Sequence, residues 1–542
     1  MFKCGLLLNI RKISTSSAQK AEQAIASTTL RDNYYQKIGK KDANNDENFK
    51  PEGWDEAKPF EEIPGYRPLP LIGNNWRFLP GGEFYNLSPI DLHLKINKKC
   101  GNLAMLDGLL GKKPMILSYD PNDIEKVLRN EGTWPIREGL ESLNYYRTEE
   151  RKDIFHGVVG LTTSQGEDWF NFRSIVNKIL MQPRVIEMYL DRMDSVTNDL
   201  LDNMKYFAKT DPNNEMPDDF QNELHKWSLE SIGLIAFNKR LGCLAINLDP
   251  NSEVQKIIDS VLGMFDAIYK LDILPSMWKI YKTKTLKKLI SHLDYLTQVN
   301  TKFIDECLAN SNPDPNIPEH ERSILERLIK VNKKVALAMT LDLTNAGIDT
   351  TGKTLAATLY YLGKNPKVQE NLRKELLLHM PNKDSPVTSE MLKDCPYVKA
   401  VIKETTRLAP IAIGNLRTTV KNMVLSEYQV PKGVLCLGMN LLLSLDEKYF
   451  PRSKEFIPER WIRGTINDLS YKNVHPFVNL PFGFGPRSCI GKRLAQLELE
   501  VAIAKIVRNF EISWNRPDAA FGSKLLYGIM DPVKIKVEEI NS

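Results

Sequence analysis

The sequence predicts a mainly α-helical protein with small β-sheets, an α+β chain in which helices outweigh strands. Three observations carry this expectation. Helical spacing of apolar residues dominates 121–130, 167–180, 184–208, 220–237 and 252–269, and returns from Lys492 to Phe510. No proline interrupts Glu319 to Asn365, and Val335–Tyr361 is apolar enough for a long helix buried on most of its surface. Strand-like sequence is confined to 102–118, 416–438 and 523–538.

The 542 residues are 42% hydrophobic and 26% charged, an ordinary globular composition that excludes a disordered, collagenous or disulfide-scaffold chain. The net charge is +5. Its source is the leader, since the first 41 residues hold eight basic side chains against Glu22 and Asp32. The body is close to neutral, which argues against a general nucleic-acid binder, because that role needs a basic face to neutralise phosphates.

Taken from the N-terminus, residues 1–40 read as a mitochondrial transit peptide. Before Glu22 they carry Lys3, Arg11, Lys12 and Lys20, no acidic residue, and the hydroxyl cluster Ser14 to Ser17. Wound as a helix, Phe2, Leu6, Ile10 and Ile13 share one side, away from the basic residues. The apolar run Leu6–Leu8 stops at Asn9, far short of the roughly 20 residues a membrane span requires. Residues 41–62 are polar and charged and read as a linker, followed by the proline-bearing stretch Ile63 to Pro70, which holds the chain extended. Asn102–Ser118 reads as a hairpin or sheet segment with Gly111 in its turn region. Gly363 and Pro366 are expected to end the long helix, and Asp342, Asn345 and Asp349 within it argue against a membrane span.

The seven cysteines, at 4, 100, 243, 307, 395, 436 and 489, contain no Cys-x-x-Cys pair and fit a reducing compartment. The seven histidines form no His-Glu-x-x-His, which argues against a zinc hydrolase. One cysteine differs from the rest by its surroundings. The loop Pro481-Phe482-Gly483-Phe484-Gly485-Pro486-Arg487-Ser488-Cys489-Ile490-Gly491 leads directly into the helical pattern from Lys492. Cys489 therefore meets the unpaired N–H groups of a helix N-terminus, which favour a thiolate. Gly485 permits a turn with positive φ, Gly491 permits close approach of a flat cofactor, and Arg487 is placed to pair with a carboxylate on it.

The spacing Phe-x-x-Gly-x-Arg-x-Cys-x-Gly, met by Phe482, Gly485, Arg487, Cys489 and Gly491, resembles the haem-thiolate monooxygenases, the cytochrome P450s. The resemblance implies a P450 fold over a single catalytic domain, residues 63–542, with haem b held between a long central helix and the cysteine-loop helix, and Cys489 as the axial iron ligand. Three further motifs follow the family's order. Ala346-Gly347-Ile348-Asp349-Thr350-Thr351 resembles its oxygen-binding groove, where a small residue and a glycine leave space and Asp349 and Thr350 handle protons. Glu404 and Arg407, three apart on a helix, together with Arg460 in Phe456 to Trp461, resemble a buried network that fixes the cysteine loop. Trp169 and Arg173 resemble the family's haem-propionate pair, with Arg417 as a third candidate.

The leader agrees with the mitochondrial branch, and 155–169 looks most like insect mitochondrial P450s of family twelve. That branch takes electrons from NADPH through a ferredoxin reductase and an adrenodoxin-like ferredoxin, with Lys399, Lys403, Lys492 and Arg493 at positions resembling the docking face. The expected site is the matrix side of the inner membrane, with peripheral membrane contact. The expected reaction inserts one atom of O2 into a lipophilic small molecule, a foreign compound such as an insecticide; a steroid or ecdysteroid hydroxylase is the alternative. A haem-thiolate isomerase or dehydratase, or a haem-based sensor, are readings from other classes. The pocket walls implied are 134–163, Leu343–Ala346, Ile411–Asn415 and Leu526–Ile529.

Overall fold

Small polar caps and prolines set where several of the helices begin. Ser88 accepts a hydrogen bond from the Asp91 N–H and precedes α1, Pro89–Cys100, and Asp120 does the same for α2, Pro121–Arg129, through the Asn122 N–H. The structure is a computed structural model that describes residues 49–69, 72–110, 112–310, 322–464 and 468–540. The leader, the start of the linker, Pro70 and the turn glycine Gly111 lie outside the described residues.

Strands β1, Leu103–Leu106, and β2, Met115–Ser118, form an antiparallel pair at the expected place. Helices follow: α3, Gly166–Leu180; α4, Pro183–Thr210; α5, Phe220–Phe237; α6, Glu253–Ile268; α7, Lys284–Asn310; α8, Ile324–Val331; and the central α9, Lys333–Lys364. Next come α10, Pro366–Leu377, and α11, Pro396–Leu408. Four strands, β3 Asn415–Thr418, β4 Met423–Leu425, β5 Tyr428–Val430 and β6 Leu435–Gly438, occupy the expected 416–438 region. After α12, Lys492–Asn509, the chain closes with β7 Phe510–Ser513, β8 Phe521–Ser523, β9 Tyr527–Ile529 and β10 Lys536–Glu539. The larger sheet runs β1-β2-β6-β3, with β2 and β6 parallel; the pairs β4–β5, β8–β9 and β7–β10 are two-stranded.

The sequence reading assigns no element to 284–310, where α7 runs for 27 residues. The helix expected over 335–361 extends further, from a start capped by the Asn332 side chain to Lys364. Gly363 does not end it. That glycine lies within the last turn, where a Cβ would sit a tight 3.1 Å from the Trp514 backbone nitrogen, so it serves the close approach of the chain at the end of β7. The end comes at Asn365, and Pro366 opens α10.

The described part of the expected linker is seated on the body. Lys58 bridges to Tyr428, the Gln429 amide donates to the Trp54 carbonyl, and Phe60 packs on the cluster of Ile63, Val127 and Val430. Its polar composition reflects one wet face; the backbone pairing was invisible in the composition.

Helix α9 runs through the main core. Leu341, Leu355, Leu359 and Leu362 are buried, each contributing about 1.5–3 kcal/mol by leaving water. It packs on α5, α7, α11 and α12. No helix among the described residues is long and apolar enough to cross a membrane.

Candidate functional site

The cysteine loop folds on two glycines with positive φ, Gly483 and Gly485. The Gly485 turn presses on Glu131, whose Oε1 would lie 2.1 Å from a Cβ there, and its positive φ strains any residue that carries one. The Cys489 N–H donates to the Phe482 carbonyl at 2.9 Å, closing the loop, and α12 begins at Lys492. The sulfur thus precedes the helix and accepts from the Gly491 and Lys492 N–H groups. Burial nonetheless pushes the Cys489 thiol above its ordinary value, outweighing those two donors and the nearby Arg173 and Arg137. The helix terminus does what the sequence leads one to expect, since the Gly491 and Lys492 donors and the two guanidinium groups act to lower the value against that burial.

Cys489 is exposed although protein crowds it on most sides, which is the signature of a sulfur facing an interior space. Ala346 shows the same pattern: it is exposed in the middle of α9, between buried Asn345 and buried Ile348. Thr350, one turn further on, is partly exposed and donates from Oγ1 to the Ala346 carbonyl at 2.7 Å. A Cβ on Gly491 would touch little but Cys489 Sγ, at 3.9 Å, so that face of the loop is open. Gly347 departs from expectation. A Cβ there would fall 2.4 Å from Ile232 Cδ1 on α5. Its missing side chain admits the neighbouring helix, and the open face of the groove belongs to Ala346 and Thr350.

Four guanidinium groups gather beside this space. Arg487 is buried, lies 4.4 Å from the Trp169 ring and donates to the Ser164 carbonyl at 2.7 Å and to Gln165 Oε1 at 2.8 Å. Burial, then Arg137 and Arg417, push its guanidinium down to about 8. Arg173, on α3, is buried beside Trp169 and also held below its ordinary value by burial. Nε of Arg173 and Nε of Arg487 have no hydrogen-bond partner among the described residues. Arg417, on β3, pairs with Glu131 and donates to the Leu416 and Phe484 carbonyls. Arg137, which the motifs passed over, is pushed down to about 10 by burial and Arg417, and sits within the field of Cys489, Asp342 and Arg173. A guanidinium does not surrender its proton inside a protein, so this crowding is relieved by an anion. The cluster, with a sulfur facing the same space, fits a flat group that carries carboxylates at its edge and a metal at its centre.

Glu404, Arg407 and Arg460 are all fully buried. Arg407 forks onto Glu404 at 2.9 and 2.8 Å and donates to the carbonyls of Ser444, Ser453 and Glu455. Glu404 also accepts from Arg460 Nε at 3.3 Å, the Ile457 N–H at 3.0 Å and the Trp461 indole at 2.9 Å. Its grip is on the 444–461 segment. Asn440 then carries the connection to the cysteine loop's approach through the Phe477 and Val478 carbonyls.

Asp349 is buried, 3.0 Å from His225 Nε2 and 2.8 Å from Lys353 Nζ. Neither partner was indicated by the sequence motifs, since His225 is 124 positions away. Lys399, Lys403 and Lys492 lie close enough to interact, joined by Arg463 and underlain by Glu500, whose carboxyl burial pushes up to about 7. Arg493 instead donates to the Met181 carbonyl. A cavity of about 540 Å³ lined by residues including Glu141, Tyr145, Trp278 and Lys282 shares no residue with the site around Cys489.

A cytochrome P450 family model matches residues 63–528. Cytochrome P450 CYP12A2 of Musca domestica is 40% identical over 503 residues, covering 90% of this chain and 93% of that protein. Two Drosophila melanogaster proteins, probable cytochrome P450 12a5, mitochondrial, and probable cytochrome P450 12d1 proximal, mitochondrial, are 39% and 40% identical over 500 and 482 residues. They cover 90% and 88% of this chain, and 92% and 91% of their own lengths.

Proposed function

This chain belongs to the cytochrome P450 family, haem-thiolate monooxygenases, and from that premise we propose that Cys489 is its iron ligand and that it oxidises a lipophilic foreign compound in mitochondria. The observation that carries the site assignment is the gathering of Arg137, Arg173, Arg417 and Arg487 beside the accessible Cys489 sulfur.

Haem bound there supplies one-electron redox chemistry and activates dioxygen. The chain supplies the rest. Gly491 and Lys492 N–H groups orient and polarise the sulfur. Arg173 and Arg487, each with an uncommitted Nε, and Arg137 would take the carboxylates. Glu404, Arg407 and Arg460 hold the segment that leads to the loop. On the exposed side of α9, the Thr350 hydroxyl would give up its bond to the Ala346 carbonyl to present a proton, and Asp349 would exchange protons behind it. Net reaction: RH, O2, two electrons and two protons become ROH and H2O. Electrons come from NADPH through a reductase and a ferredoxin, whose acidic surface suits the Lys399, Lys403, Lys492 and Arg463 patch. The leader is proposed as an import signal, which places the enzyme in the matrix with peripheral contact at the inner membrane.

The test is reconstitution of the haem-loaded chain with ferredoxin, reductase and NADPH, screened against an ecdysteroid and a panel of lipophilic insecticides under labelled O2. One labelled oxygen atom in an insecticide product supports the reading. Selective ecdysteroid oxidation moves the role to hormone metabolism. Turnover without reductant indicates an isomerase or dehydratase, and haem binding without substrate-dependent NADPH use indicates a sensor.

A further inference from the structure

Glu131 and Asp342 are carboxylates within the field of the arginine cluster. Asp342 is fully engaged: Arg147 lies 2.9 Å away, and the Leu161 and Thr162 N–H groups and the Thr162 hydroxyl all donate to it. Glu131 is engaged on one side only. Its Oε2 accepts from Arg417 Nε, while Oε1 has no partner among the described residues although the side chain is only 4% exposed.

The chain brings Glu131 there by its path after α2. It turns at Gly132 with positive φ, and Ile136 then bridges to Thr418, whose N–H donates to the Ile136 carbonyl at 2.9 Å, so 131–137 runs beside β3. This strip carries both Glu131 and Arg137, and its Pro135 carbonyl accepts from Arg487 at 3.3 Å. On the other side, the missing side chain of Gly485 leaves the room that Oε1 occupies. Glu131 thus ties β3 to the cysteine loop.

Two consequences follow from this position. Of the five N–H groups of Arg417, one goes to Glu131, one to the Leu416 carbonyl and one to the Phe484 carbonyl; the others are uncommitted among the described residues. Held at three points, that guanidinium has a fixed plane. The second consequence is charge. Burial pushes the Glu131 carboxyl up, and Arg417, Arg487 and Arg137 oppose that push. Its contact with Arg417 is a charge-assisted bond between buried ions, and a fixed negative charge in a buried site favours the more positive, oxidised state of a nearby metal.

We propose that Glu131 is a positioning residue of the cofactor site: it clamps Arg417 so that its uncommitted N–H groups meet a haem carboxylate, and its own negative charge, left among the arginines, lowers the reduction potential of the bound haem. This deepens the reading of the cluster as the edge that takes the haem carboxylates, and rests on it.

The test uses the full haem-loaded chain and compares Glu131→Gln, Glu131→Asp, Arg417→Gln and the double variant Glu131→Gln/Arg417→Gln. Reduction potential is read by titration against redox dyes, haem retention by transfer to an acceptor protein, and integrity by thermal midpoint. Glu131→Gln, which keeps the shape and loses the charge, is expected to shift the potential upward and to speed haem loss about tenfold. Glu131→Asp keeps the charge but shortens the reach, so it should speed haem loss with the potential close to the parent's. Arg417→Gln should shift the potential downward, and the double variant, which has lost one charge of each sign, should return it toward the parent's. An unmoved potential in Glu131→Gln, or the same upward shift in Glu131→Asp, would overturn the proposal, since a packing defect alone moves both variants alike. Unchanged haem loss in both Arg173→Ala and Arg487→Ala would instead overturn the premise. If Glu131→Gln takes up no haem, the double variant decides, because it strands no buried cation: a potential near the parent's supports the proposal, and one shifted as far as in Arg417→Gln alone overturns it.

Discussion

Arg407 and Arg173 are both buried guanidinium groups within one molecule, and their surroundings differ in kind. Arg407 forks onto a carboxylate and reaches three backbone carbonyls, so its charge is answered within the chain. Arg173 sits among Arg137 and Arg487, with Nε unpartnered among the described residues. Burying an unanswered charge costs several kcal/mol. The Glu404 network is thus finished around Glu404 and Arg407, with Arg460 Nη1 left unpartnered among the described residues, whereas the arginine cluster is, on the proposal above, half of an interaction that the cofactor completes.

The sharpest break between the two regions is spectroscopic. Cys489→Ser is expected to leave a folded protein that never shows the strongly red-shifted Soret band of the reduced carbon monoxide complex. Persistence of that band would show that the sulfur is not the ligand. On the finished side, Glu404→Gln strands two buried cations and is expected to cost about 3–5 kcal/mol, read as loss of soluble protein or a collapsed thermal midpoint. On the unfinished side, Arg487→Ala should barely change the melting of the haem-free chain, because it also removes repulsion from Arg137 and Arg417. It should weaken haem retention by about 1.5–3 kcal/mol, the worth of a charged hydrogen bond, measured by haem transfer to an acceptor protein. Equal destabilisation of the haem-free chain by both variants would erase the distinction.

The smallest effect comes from the acid side. Glu498, on α12, is buried, leaves Oε1 unpartnered among the described residues, and is pushed by burial up to about 8 despite a hydrogen bond with Thr351. Its unfolded value is near 4.5. The folded state therefore binds the proton more tightly, and stability should fall as pH rises from about 4.5 to about 8. Glu498→Gln should flatten that decline by about 1–3 kcal/mol, checked by thermal midpoints across the range.

Much of this fold could be read along the chain. The helices at 121–129, 166–180, 220–237 and 492–509 fall within a residue or so of their expected bounds, because apolar periodicity and capping act within a few residues. The cysteine loop was legible for the same reason, since the positive φ of Gly485 and the contact of Gly491 with Cys489 lie inside it. The failures have a common cause. Gly363 and Gly347 were misread because what faces them, Trp514 and Ile232, is distant in sequence. Arg137, Glu131, Arg463, His225 and Lys353 escaped notice because none belongs to a spaced motif, and each gains its character from a neighbour on another element or another turn.

By itself, then, the sequence determined the mainly helical class, the family and the residues at its spaced motifs, since these depend on short-range order. Only the tertiary structure decided which buried charges are answered and which are open, which glycine makes room for a helix and which for a ligand, and which bases hold Asp349. Those outcomes depend on Coulomb and steric terms between groups that the chain brings together only when folded.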